Sequence, residues 1–82
     1  MKAITTKYRG PTNTRGARIT ATDGDGNHVS ISYPYELSGV SVHASAALAL
    51  CRKMNWHGEI IGGGTRGGYV FVFSDSDRFT AP

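Results

Sequence analysis

Apolar residues recur at every second position in two neighbouring stretches of the chain and at helical spacing in a third. Residues 17–22, ARITAT, set Ala17, Ile19 and Ala21 on one face of a strand and Arg18, Thr20 and Thr22 on the other. Residues 28–33, HVSISY, alternate in the same way, turning Val29, Ile31 and Tyr33 toward a core, and Pro34 ends the strand. The intervening Asp23-Gly24-Asp25-Gly26-Asn27 offers D-G steps that tolerate positive φ, a strong hairpin signal. Residues 2–8, KAITTKY, are rich in β-branched and aromatic types and predict a strand, followed by a Gly/Pro-rich loop over 9–16. In 41–54, Ala46, Ala47, Leu50, Cys51 and Met54 mark the buried stripe of a helix. Ser41 is its expected N-cap, and Arg52 and Lys53 suit the negative end of its dipole. Asn55 suits a left-handed residue after the helix, with Trp56 folding back in a Schellman stop. Residues 57–61, HGEII, and 69–73, YVFVF, predict a closing strand pair, joined by a glycine-rich loop over 62–68.

These elements predict an α+β fold: an antiparallel five-stranded sheet packed on one helix, in the order β-β-β-α-β-β. Residues 1–73 form the expected single domain, and 74–82, which have no periodicity, the expected flexible tail. One helix cannot cover both faces of such a sheet, so the last strand poses a choice. Either Tyr69, Phe71 and Phe73 line the open face, as a dimer seam, a protein-binding surface or a base-stacking platform, or Val70 and Val72 do.

Length and charge narrow the picture. With 82 residues the chain buries only about 60% of its unfolded surface. No apolar run approaches the roughly 20 residues of a membrane span, so no membrane partner is expected. A lone Cys51 and the lack of a signal-like start suit a reducing cytoplasm. The net charge is +3, yet Lys2, Lys7, Arg9, Arg15 and Arg18 all precede the first acid, Asp23. Such a segment attracts phosphates or an acidic protein surface, or simply solvates one face.

Chemical motifs mostly fail on inspection. Gly62, Gly64 and Gly67 fit G-x-G-x-x-G, but the string leads into a strand, whereas a dinucleotide site needs a helix N-terminus. No Lys-Ser/Thr pair follows Gly67, which excludes a Walker loop. Arg66 remains as a cation at a hairpin tip. Asp23, Asp25 and Asn27 begin like a calcium loop, but His28 replaces the required glycine and Pro34 the bidentate glutamate. His28, His43 and His57 fall in three different elements without metal spacing. His43 lies about two helical turns from Cys51, and Cys51 is on the buried stripe. No paired carboxylates are evident, so neither an enzyme nor a cofactor is expected. The segment RGPTNTRGAR, with Arg9, Arg15 and Arg18 among hydroxyl and amide side chains, fits contact with a phosphate backbone or a protein carboxylate.

The strings TKYRGPTNTRGARI, ISYPYELS, ALCRKMNW and GGGTRGGYVFVF resemble a group of short, mostly uncharacterised proteins encoded by bacterial phages, plasmids and integrative elements. The resemblance spans residues 2–73. Against such relatives the helix is poor in charge, which leaves Val42, Leu48 and Ala49 as expected exposed residues and a homodimer as an open alternative. The context implies action by binding: an inhibitor of a host defence complex of the anti-CRISPR or anti-restriction type, engaging a host protein or protein–nucleic-acid complex. The alternative is a small basic nucleic-acid-binding accessory protein. In either case the expected binding residues are Arg9, Arg15, Arg18, Arg66, Tyr69, Phe71 and Phe73.

Overall fold

The computed structural model describes residues 3–75 and 78–82. Its elements are β1 (Ala3–Arg9), β2 (Arg18–Thr22), β3 (His28–Ser32), α1 (Val40–Met54), β4 (Ile60–Thr65) and β5 (Gly68–Phe73). The strands form one antiparallel sheet in the order β3-β2-β1-β5-β4, with α1 packed on one face. The fold is α+β, with the expected chain order. Lys2, the expected start of the first strand, and Ser76 and Asp77 of the expected tail lie outside the described residues. Of the rest of the tail, Phe79 is 93% exposed, with no helix or strand over 78–82. Among the described residues, no helix is long and apolar enough to cross a membrane.

The core lies between α1 and the middle of the sheet. Ile4, Ile19, Ala21, Phe71 and Phe73 meet Val42, Ala46, Ala47, Leu50 and Cys51, all buried. Alanines on both sides of this contact let the helix approach the strands closely. Val42, expected to be exposed, is buried, because the stripe starts one turn earlier and runs Val42–Ala46–Leu50. Leu48 is exposed as expected, and Ala49 is half-buried.

The last strand resolves its choice against the aromatics. Phe71 pairs with Ile4, and Phe73 with Ile60, on the helix-covered face, and both rings are only 3% exposed. Val72 stands on the open face, 38% exposed. Large planar rings bury more apolar area than valines, and the single helix takes the face that gains most from cover.

Two boundaries also differ from expectation. Gly62, Gly63 and Gly64 belong to β4, and the turn is only Arg66-Gly67. The Phe71 ring packs against Gly62 of β4, where a Cβ would stand 2.5 Å from ring atom Cε2. A Cβ on Gly68 would collide with the Thr6 carbonyl oxygen. These glycines make room for packing and do not signal a loop. At the helix start, Gly39 (φ 60°) precedes the first turn, there is no side-chain cap bond, and Ser41 sits inside the helix. At its end the expected stop is present: Asn55 is left-handed (φ 59°, ψ 40°), Trp56 N donates to Cys51 O at 2.9 Å, and Asn55 N donates to Arg52 O at 3.3 Å.

Candidate functional site

Antiparallel pairing decides where the charges go. The end of β1, the start of β2, the end of β3, the start of β5 and the end of β4 share one edge of the sheet. That edge therefore gathers Lys7, Arg9 and Arg18, the 10–17 loop with Arg15, and the Arg66-Gly67 turn. The first turn of α1 has no acidic side chain, and its N-terminus lies toward this end, since Lys53 in its last turn reaches the start of β3. The helix dipole adds to the positive potential there. Glu36, between β3 and α1, is the acid nearest in sequence. Asp23, Asp25, Glu59 and Asp75 all lie at the opposite end, at the β2–β3 turn and beside the outer ends of β4 and β5. One end of the sheet is thus basic, while at the other the acids are mixed with Arg52 and Lys53 of the last helical turn.

The basic pole breaks a local rule. Arg9 and Arg18 are direct cross-strand partners. Like charges placed opposite one another destabilise a sheet, and such violations concentrate at sites kept for binding. Arg9, expected in the loop, ends β1, and Arg18 starts β2 on the face expected of it; both are on the open face with Lys7. Arg15 is in the loop, which its own hydrogen bonds hold in shape. Thr12 N donates to Arg15 O at 2.7 Å, and Arg15 N donates to Thr12 Oγ1 at 3.1 Å.

Around the rim of edge strand β3 runs an open cleft of about 410 Å³, lined by Arg15, Arg18, Ser30, Ser32, Tyr33 and Tyr35 among others. Arg18 Nη1 is buried there without a hydrogen-bond partner. A buried guanidinium nitrogen with no acceptor is costly. Beside it a file of tyrosines reaches the surface. The Tyr8 and Tyr33 rings meet edge to face at 5.7 Å, and Tyr33 and Tyr35 are tilted at 4.8 Å. Tyr35 is 78% exposed.

The structure therefore unites four of the expected binding residues, Arg9, Arg15, Arg18 and Arg66, at one end. It corrects the other three: Phe71 and Phe73 are core residues, and the half-buried Tyr69 ring meets His43 of the helix, tilted at 4.6 Å. The sequence placed Lys7 in the basic segment but not among the binding residues, and it did not point to Tyr8, Tyr33 and Tyr35. Lys7 and Arg9 are two apart in a strand and so share a face, a signal present in KYR. Tyr33 packs against the core as expected, with Val29 and Ile31, and is half-buried, so its ring also reaches the cleft.

Elsewhere the polar chemistry is structural. Buried Thr6 Oγ1 is 2.8 Å from His43 Nδ1, and burial lowers the His43 pKa. Burial also raises the pKa of Cys51, which opposes thiolate formation. No group of three metal-binding side chains occurs among the described residues. No family model, curated protein or solved structure matches the chain.

Proposed function

We propose that this chain is a non-enzymatic interaction protein that engages an anionic partner through its basic pole. The observation that carries the reading is the juxtaposition, across two strands, a loop and a turn, of Lys7, Arg9, Arg15, Arg18 and Arg66. Arginine and tyrosine dominate this end, and these side chains supply much of the binding energy of interfaces. In the mobile-element setting that the sequence resembles, this makes the protein an inhibitor of a host defence complex, of the anti-CRISPR or anti-restriction type, docking on an acidic protein surface of that complex. A second reading, a nucleic-acid-binding accessory protein, is favoured by one specific feature: tyrosine rings beside arginines on an open rim.

Capture from host lysate by the full chain tests the first reading. The wild type is expected to recover one stoichiometric complex that resists nuclease and dissociates with salt, and the Lys7→Glu/Arg9→Glu variant is expected to lose it. Equal recovery by the variant would remove the basic pole as the docking surface. Nuclease-sensitive recovery of many proteins would favour the second reading.

A further inference from the structure

We infer that the cleft at the end of β3 is a binding site for a phosphorylated nucleoside, taken either as a free nucleotide or as one unit of a single strand. The inference rests on the basic-pole reading and assigns the ligand chemistry of one part of it.

Three features converge. The first is the anion end. Arg15 is presented, exposed, by a loop closed on Thr12, and Arg18 lines the cleft beside it. The exposed Arg15 guanidinium offers a fork that matches phosphate geometry. The second is the aromatic end. Tyr35 is held at an angle against Tyr33, with its ring largely exposed. A base stacking on this ring covers surface that nothing in the fold covers. The third is the edge between them. Tyr33 N donates inward to Ala17 O at 3.0 Å, so the alternating backbone of β3 turns the N–H and C=O groups of Ser30 and Ser32 outward. Lys53 Nζ, donating to the outward His28 O at 2.8 Å, confirms that phase. With their hydroxyls, these groups offer donors and acceptors to a sugar or a base edge. The cleft, at about 410 Å³, is near the lower end of the roughly 300–1,000 Å³ of small-molecule sites, which suits one nucleotide unit.

The test follows tyrosine fluorescence of the full chain at low salt. The probes are a single-stranded oligothymidylate of about eight nucleotides, within the usual range for such sites, thymidine 5′-monophosphate, and inorganic phosphate. The oligonucleotide or the mononucleotide is expected to quench the signal and to bind more tightly than phosphate. Tyr35→Ala should weaken that binding about 5- to 150-fold, the worth of one stacked base. Arg15→Ala should weaken all three probes. Both residues are exposed, so neither variant threatens the fold. Equal affinity for strand and mononucleotide identifies a free nucleotide as the source; tighter binding of the strand identifies single-stranded nucleic acid. Binding of phosphate as tightly as nucleotide, with no effect of Tyr35→Ala, overturns the proposal, as does absence of nucleotide and strand binding in the wild type. If these probes fail while lysate capture still depends on Lys7 and Arg9, the nucleoside site is wrong and the basic pole stands. If both fail, the pole is not a binding surface.

Discussion

The two faces of the sheet follow different rules. On the covered face Ile4, Ile19, Ala21, Phe71 and Phe73 are chosen by shape and apolar area, and α1 excludes water from them. On the open face Thr5, Lys7, Arg9, Arg18, Thr20, Ser30 and Ser32 alternate with them along the same strands. There, cross-strand hydroxyls accompany a directly opposed arginine pair that weakens the sheet. The contrast separates two tasks within one backbone. Stability comes from the covered face, and the open face at the basic end accepts unfavourable electrostatics that screening or a bound anion relieves. Each strand residue lies on one face or the other, so substitutions can address the tasks separately.

The sharpest break is expected on the covered face. Leu50→Ala removes a fully buried side chain at the centre of the helix stripe and should cost about 2–5 kcal/mol. Urea unfolding followed by circular dichroism checks this. A cost below about 1 kcal/mol would mean that α1 is not the clamp described. A chain of 82 residues has little reserve, so this variant should also show a clearly lowered Tm.

A smaller effect tests the polar contact between Thr6 and His43 within the covered face. Thr6 is fully buried and bonded to His43 Nδ1, and desolvation holds the His43 pKa below its ordinary 6.5. The unfolded chain therefore binds a proton more readily than the folded one. The stability this contributes is complete above pH 6.5 and is lost as pH falls from there through the lowered folded value. Urea midpoints should drop between neutral pH and mildly acidic pH, and His43→Gln should flatten that part of the profile. An unchanged slope in the variant would show that His43 does not set it. Thr6→Val should cost about 1–3 kcal/mol at neutral pH by leaving Nδ1 without its partner.

The covered face was far more legible in the sequence than the open one. Period-two alternation in ARITAT and HVSISY and the helical stripe around Leu50 follow from burial, which acts on every residue of an element and so leaves a repeated signal. The Schellman stop at Asn55 and the burial of Cys51 followed from local chemistry. Gly62 and Gly68 misled because glycine usually signals chain freedom, whereas here Phe71 and the Thr6 carbonyl occupy the space a Cβ would need. That requirement arises only when β5 pairs with both neighbours. The candidate site suffered from the same non-locality. Arg66 lies far along the chain from Arg9, and their shared edge exists only after β5 has paired with β1. The aromatics of YVFVF showed their alternation in sequence but not which side the helix would take.

The smallest expected effect is the most discriminating, because it has opposite signs for the two tasks. Arg9 and Arg18 face each other across β1 and β2, and Thr20 and Thr22 continue the polar face beyond them. Arg9→Thr places a β-branched residue in a strand position and ends the like-charge opposition. It should therefore stabilise the fold slightly, by about 0.2–1 kcal/mol on the scale of cross-strand pairs. The gain should shrink with added salt, since screening already weakens exposed repulsion. The same change removes one cation from the basic pole and should weaken the captured complex. Thermal melts at low and high salt, run beside the capture assay, read both signs. A variant that is less stable would mean that Arg9 packs usefully across the sheet. A variant that is more stable and binds as well as the wild type would mean that the opposed arginines serve no partner. Gain in stability with loss of binding is the outcome that a face arranged for an anion requires.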